Sequence, residues 1–291
     1  MTCVTDSTGQ RRYGDGVAVV TVTYSPGEML ERFVDTLAKS TTRQVRVLLA
    51  DNGSTDGAPE LAAERDGVSL LQMGSNLGYG AAANKAVAAL DDTVGWVVVA
   101  NPDLEWEADA LDQLLDAAQR WPRGGAFGPL ITGQDGGVYP SARSLPSMSS
   151  GIGHGLFGRV WPGNPWTRAY LQHGDRVTER PAGWLSGSCL LLRREAFDSV
   201  RGFDPRYFMY FEDVDLGDRL GRAGWLNIYV PSAQVMHLGG HATMRDSRLM
   251  LVAHHASAYR YLADRHRGWR WKPVLAIVRL GLAVRLRLAC R

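Results

Sequence analysis

Two groups of side chains could do chemistry in this chain. Asp103 lies in Asn101-Pro102-Asp103, where the apolar run Trp96–Ala100 stops. A carboxylate at the end of a buried strand can share Mg2+ or Mn2+ with phosphate oxygens. The cation then offsets the charge that grows as a bond to a diphosphate breaks. The same tripeptide also makes a turn with an Asx cap. His237 ends the run Ile228–Met236 and can bring a neutral imidazole to the same cation, or simply cap its strand. The second group is Glu212, Asp213, Asp215 and Asp218, preceded by Tyr207, Phe208, Tyr210 and Phe211. Acids at a helix N-terminus are stabilised by the macrodipole, which is a purely structural use. An aromatic wall also desolvates a carboxyl and raises its pKa, which suits a general base that takes the proton of an attacking hydroxyl. Asp213 is assigned that role. Glu212 and Asp215 orient it or bind acceptor hydroxyls, and Asp218 is expected to pair with Arg219 or Arg222.

The elements that must position these groups alternate. Val17–Ser25 is a β-branched run read as a fully buried parallel strand, and Leu30, Phe33, Val34 and Leu37 carry helical spacing after it. The stretch 44–54 is a second strand, Ala58–Arg65 a helix, and Val68–Met73 a third strand. A glycine loop, 74–80, leads into a helix over Ala81–Leu90, and Trp96–Trp106 is a fourth strand that breaks into acids. Strands alternating with helices predict a doubly wound, mostly parallel α/β sheet, with ligands outside the carboxyl ends of its strands. Beyond Trp121-Pro122, short strands are expected around the turn Asp135-Gly136-Gly137. Residues 144–182, rich in Gly, Pro, Trp and Ser, read as a long loop or lid. A further strand and helix follow over 183–197, a loop and helix over 202–224, and a strand over 227–237. The chain divides into a lead-in (1–15, expected to be disordered) and a catalytic domain (16–245). Within the domain, 16–122 bind the nucleotide and 123–245 the acceptor. A basic helical tail (246–291) completes the chain.

Composition narrows the class. With 291 residues and a net charge of only +2, the chain can bury one large core and offers no whole-chain footprint for nucleic acid. Cys3, Cys189 and Cys290 are too far apart for a metal or redox motif, which fits a reduced, cytoplasmic protein. The N-terminus lacks the pattern of a signal peptide, and no window supplies the roughly 18 apolar residues of a spanning helix.

Seven segments, taken in order, resemble glycosyltransferase family 2, inverting enzymes of the GT-A fold. They are TVTYSPG, DNGSTDG, NLGYGAAAN, VANPDLEW, GWLSGSCLLLRREAF, GFDPRYFMYFEDVDLGDRL and VPSAQVMH, and they span most of residues 17–240. The resemblance implies that Asp51 contacts the base of a donor nucleotide in a pocket lined by Thr23 and Tyr24. It implies further that Asn76, Gly78 and Asn84 approach that nucleotide, with Asn101 beside them. Asp103 then binds the divalent cation, Asp213 is the base, and His237 matches a position that ligates metal in some members. Many members carry Asp-x-Asp at the metal strand. Here the first acid is Asn101, which implies metal binding that leans more on the phosphates. VANPDLEW, GPLI, GGVYPSAR, NPWTRAY and GWLSGSCLLLRR are similar to bacterial rhamnosyltransferases that use dTDP-L-rhamnose and extend polyprenyl-diphospho-N-acetylglucosamine in a cell-wall linker. That likeness implies a nucleotide-sugar donor and a lipid-linked acceptor. Another donor or acceptor, or a silent nucleotide-sugar-binding subunit, stays open.

The acceptor side is expected at Trp184, Ser186 and Gly187. Small residues let a substrate approach the backbone and an indole can stack on a sugar, although a core Trp at a tight strand entry fits the same residues. Arg143 offers a planar fork to a diphosphate, or a surface ion pair. After Asp264 there is no acid, and basic residues alternate with Trp269, Trp271 and an apolar stretch. Such a tail suits the anionic inner face of the cell membrane, to which the protein would bind peripherally. A packing helix or a homodimer helix is the other use. A dinucleotide oxidoreductase is disfavoured, because its glycine fingerprint should follow the first strand and here does not.

Overall fold

The computed structural model describes residues 13–146, 178–239 and 247–289. Most of the expected lead-in, most of the expected lid and the segment NPWTRAY lie outside them. The first half is built from β1 (Gly16–Thr23), α1 (Met29–Leu37), β2 (Arg46–Asp51), α2 (Ala58–Ala62), β3 (Val68–Gln72), α3 (Tyr79–Ala88) and β4 (Val94–Ala100). β5 (Leu104–Trp106) and α4 (Ala110–Arg120) follow. Next come β6 (Gly124–Gly133), β7 (Val138–Tyr139), β8 (Ala142–Arg143), β9 (Arg180–Ala182), β10 (Trp184–Leu185) and β11 (Cys189–Arg193). The chain then forms α5 (Arg194–Ser199), α6 (Glu212–Arg222), β12 (Leu226–His237), α7 (Ser247–Arg265) and α8 (Lys272–Ala289).

The main sheet runs β3-β2-β1-β4-β11-β6-β12-β5. β1 pairs in parallel with β2 and β4, β2 with β3, and β6 with β12. β11 is wedged antiparallel between β4 and β6 and joins the two halves into one sheet. The alternation along β1 shows why both faces are dry. Val17 and Val19 pack with Leu30 and Phe33 of α1 and with Leu111 and Leu114 of α4. Ala18 and Val20 pack with Ala82, Ala83 and Ala86 of α3, Phe197 of α5, and Leu216 and Leu220 of α6. β-branched residues stiff at χ1 suit a strand covered on both sides.

One departure from the sequence reading positions the site. The fourth strand does not continue into its acids. Pro102 lacks an N–H and cannot extend the ladder, so the chain leaves the sheet at Ala100 and re-enters as β5 at the far edge. There β5 pairs antiparallel with the end of β12, with His237 opposite Leu104. The helix expected over Ala81–Leu90 starts two residues earlier, at Tyr79.

Candidate active site

The β5–β12 ladder brings Asp103 and His237 together from 134 residues apart. His237 Nε2 lies 3.0 Å from Asp103 Oδ1, and the Leu238 N–H donates to the Asp103 carbonyl at 2.9 Å. A carboxylate and an imidazole converge just beyond the carboxyl end of β4. This donor set fits a divalent cation that takes its other ligands from a diphosphate. Among the described residues no cluster of three or more acidic, His or Cys side chains could hold a metal without such help.

Next to this pair, β10 and β11 are joined by Ser186-Gly187-Ser188. The Ser188 carbonyl accepts the Asn101 N–H at 2.9 Å, and the Ser186 N–H donates to Ser141 O at 2.8 Å. Ser186 Oγ lies 3.2 Å from Ser188 Oγ. The Gly187 N–H donates to Asp213 Oδ2 at 2.9 Å, and the Val214 N–H donates to Asp213 Oδ1 at 2.8 Å. Burial raises the Asp213 carboxyl, while these two amides and the Arg143 charge pull it back. Burial, and then the neighbouring Asp213, raises Glu212 as well. Glu212 is 7% exposed, and its Oε2 is buried with no hydrogen-bond partner among the described residues. The two acids open α6 directly after Tyr210 (φ 67°) and Phe211 (φ 66°), both in the left-handed region that non-glycine residues rarely enter. Such positions cost about 1 kcal/mol or more each and persist only where packing over-determines them. Here α7 supplies the packing. His254 lies edge-on to the Tyr210 and Phe211 rings, each at 5.5 Å, and Ser257 Oγ donates to Met209 O at 2.9 Å.

On the donor side Asp51 is 3% exposed and accepts from Thr23 Oγ1 at 2.8 Å, from the Gly53 and Ser54 N–H groups, and from Ser54 Oγ. It therefore organises its own loop, with the buried Thr23 beneath it and the exposed Tyr24 at the rim. Asn76 Oδ1 accepts the Gly78 N–H at 3.0 Å. Gly78 (φ 83°) faces protein: a Cβ there would stand 2.2 Å from the Phe208 carbonyl oxygen.

Several expected site residues have protein partners of their own. Asn84 was expected at the nucleotide, but its amide donates to Phe203 O at 2.7 Å and accepts the Phe203 N–H at 2.9 Å. It clamps the approach to α6. Trp184 was expected as a sugar platform, but it is 5% exposed, donates through Nε1 to Ser144 O, and packs with Tyr207, Val214 and Tyr261. Asp215 was expected among acceptor hydroxyls, but it pairs with Arg219 at 2.6 Å, whose guanidinium also holds Val200 O and Gly202 O. The i,i+4 spacing of Asp215 and Arg219 was a signal for this pair. Asp218 pairs with Arg222 and with Arg265 of α7, each at 2.8 Å. Arg143 lies between the Tyr139 and Trp184 rings, 5.1 and 5.2 Å from their centroids, with Nε on Pro140 O. Its charge reaches Asp213, and no described acid pairs with it.

Sequence reasoning missed two residues. Asn52 is buried and ties the glycine loop down, donating to Gly78 O at 3.2 Å and accepting the Leu77 N–H. Its place directly after the β2 acid was a usable signal. Tyr79 donates through its hydroxyl to Gly187 O at 2.7 Å. Burial, together with the charges of Glu212, Asp213 and Asp103 among others, holds that hydroxyl well above the usual tyrosine range, so the acids gather around one ring. No local pattern marks it.

Comparison with known proteins follows the same lines. The profile of Glycosyl transferase family 2 matches residues 18–201, and that of Glycosyltransferase like family 2 matches residues 167–253. The N-acetylglucosaminyl-diphospho-decaprenol L-rhamnosyltransferase of Mycobacterium tuberculosis is 56% identical over 287 residues, covering 95% of this chain and 94% of that protein. Rhamnosyltransferase WbbL of Escherichia coli is 26% identical over 255 residues, covering 85% of this chain and 92% of that protein. Among solved structures, a mannosyltransferase from Pyrobaculum calidifontis in complex with GDP-Man and Mn2+ superimposes with a TM-score of 0.61 at 17% identity. That match covers 96% of this chain and 76% of the other, and it concerns the fold.

Proposed function

The chain belongs to glycosyl transferase family 2, and from that premise we propose that it moves L-rhamnose from dTDP-L-rhamnose to polyprenyl-diphospho-N-acetylglucosamine. It is a glycosyltransferase of GT-A fold. The observation that carries the substrate reading is the 56% identity to the M. tuberculosis rhamnosyltransferase, which runs through nearly the whole of both chains.

Asp213 takes the proton of the acceptor hydroxyl while its oxygen attacks the anomeric carbon from the face opposite the diphosphate. The bond to the diphosphate breaks, its electron pair leaves with the phosphate oxygen, and the anomeric configuration inverts. Burial raises the affinity of Asp213 for that proton, and the Gly187 and Val214 amides aim the carboxylate and favour its ionised form. Asp103 and His237 would hold Mg2+ or Mn2+, which supplies charge compensation for the leaving diphosphate. Arg143, held between two rings near Asp213, would pair with the acceptor diphosphate, and Ser186 and Gly187 would meet the acceptor sugar. Tyr24 and Asn76 line the donor side, with Asp51 and Gly78 shaping its loops.

The acceptor resides in a bilayer, so the enzyme works at the inner face of the cell membrane. No helix among the described residues is long and apolar enough to cross. Instead α8 leaves Ile277, Leu280 and Val284 in solvent, 71%, 66% and 46% exposed, one helical face of apolar side chains. Lys272, Arg279, Arg285 and Arg287 flank it, and Trp269 precedes it, 76% exposed. That combination suits an anionic lipid surface.

The deciding experiment incubates the full chain with dTDP-L-rhamnose and a short-chain polyprenyl-diphospho-N-acetylglucosamine and reads the product by mass spectrometry. Addition of one deoxyhexose is the expected result. Equal or faster turnover with a UDP-sugar overturns the donor assignment.

A further inference from the structure

We propose that Tyr79 is a positioning residue for the proton-accepting carboxylate and acts on it through the Gly187 backbone; this rests on the reading of Asp213 as the general base. The Tyr79 hydroxyl donates to the Gly187 carbonyl at 2.7 Å, and the Gly187 N–H donates to Asp213 Oδ2 at 2.9 Å. These bonds lie on either side of one Cα, in different peptide units, so the coupling is one of geometry.

A glycine has no side chain to restrict φ and ψ. The flanking groups are held elsewhere, since the Ser186 N–H goes to Ser141 O and the Ser188 carbonyl takes the Asn101 N–H. The direction of the Gly187 N–H therefore depends on what grips the Gly187 carbonyl, and that is Tyr79. There is little slack: a Cβ at position 187 would stand 3.2 Å from Asp213 Cβ and 3.5 Å from its Oδ2. Tyr79 is itself fixed. Its N–H donates to Phe208 O at 3.0 Å, and its ring meets Phe203 edge-on with centroids 6.2 Å apart. It is the first residue of α3, so one hydrogen-bonded path joins the donor-side glycine loop to the carboxylate.

The groups facing Asp213 are Glu212 from its own helix, Arg143 from β8 and Tyr79 from α3. Losing the Tyr79 hydroxyl alters none of those charges at neutral pH. It loosens only the amide that favours the ionised carboxylate. The expected signature is a rate effect with a pH component and no change in donor binding.

The test measures kcat and KM for donor and acceptor against pH in full-length Tyr79→Phe. We expect kcat to fall about tenfold, the order of one hydrogen bond, with the donor KM unchanged. The acidic limb of the kcat profile should move to higher pH, while circular dichroism stays that of the parent and Tm falls by only a few degrees, as for one lost hydrogen bond. An unchanged kcat and limb overturns the proposal. So does a loss that appears as a raised donor KM, which would assign Tyr79 to donor binding. Asp213→Asn, run alongside, separates the two failures. If it is inactive while Tyr79→Phe is normal, only the role of Tyr79 falls. If it stays active, the base assignment falls and the role of Tyr79 with it.

Discussion

Asp51 and Asp213 both belong to the carboxyl edge of the sheet, and their surroundings differ. Asp51 is saturated. Two backbone amides and two hydroxyls, from Thr23 and Ser54, converge on it, and the loop it closes is local in sequence. Asp213 receives two amides, and burial still raises its pKa. Beside it, Glu212 holds an oxygen without a partner among the described residues, and the helix they open is entered through two left-handed aromatic residues. A carboxylate whose environment is complete holds its loop in shape. One left incompletely compensated, on a strained turn braced by a distant helix, is where proton chemistry can be done.

The sharpest way to break that contrast is to neutralise Asp213. Asp213→Asn should lower kcat by roughly a hundred- to ten-thousandfold, the loss typical of a general base. Donor affinity, read by calorimetry, should barely change, and Tm should hold or rise because a raised carboxyl no longer has to ionise in the fold. In the parent, kcat should rise with pH through an apparent pKa above the ordinary carboxylate range of about 4, since the base works only when ionised. If Glu212→Gln is inactive while Asp213→Asn is not, the base is the neighbouring residue.

The metal pair comes next. Asp103→Ala, and separately treatment with EDTA, should each lower turnover at least about a hundredfold, as when a charge-stabilising group is removed. Full activity in EDTA would remove the cation from the reaction.

Asp51→Ala tests the other side of the comparison. It orphans the buried Thr23 hydroxyl and frees the Gly53 and Ser54 amides at the loop surface, and should destabilise the fold by about 1–3 kcal/mol, read by urea titration. An unchanged midpoint would mean that Asp51 is not the organiser described above.

The smallest effect concerns the tail. α7 is locked onto the catalytic region through Arg265–Asp218, Asp264–Arg206 and the buried Tyr261, whereas α8 carries the exposed apolar face. Removing residues 272–291 should abolish sedimentation with anionic vesicles. Turnover of a water-soluble acceptor should stay within about twofold of the parent, as for a surface change. Equal harm to soluble and lipid acceptors would make α8 a packing element. A dimer that dissociates on truncation while vesicle binding persists would assign its face to a second copy.

Much of this was legible in the chain. β-branched runs ending in polar residues specified a doubly wound sheet and put Asp51 and Asp103 at strand ends, because strand periodicity and turn chemistry are local properties. The acids of α6 stood out for the same reason. Pairing over long separations was not legible. Nothing local to Asp103 or His237 says that β5 crosses to the far edge and lies against the end of β12. Nor does the glycine loop announce that Gly78 is required by the Phe208 carbonyl. Trp184 shows the limit most plainly, since a Trp before small residues reads equally as platform or core. Only the fold shows Tyr207, Val214 and Tyr261 packed around it.

Residues near one another specified the alternating strands and helices, the strand-end acids and a C-terminal stretch that is basic and free of acids after Asp264. Long-range packing selects which polar groups remain open for chemistry. Asn84, Asp215 and Trp184 were claimed by Phe203, Arg219 and the core, while Asp213 was left beside Gly187 and Tyr79. A side chain's availability depends on every group that packing brings within hydrogen-bond reach, and those groups come from the whole length of the chain.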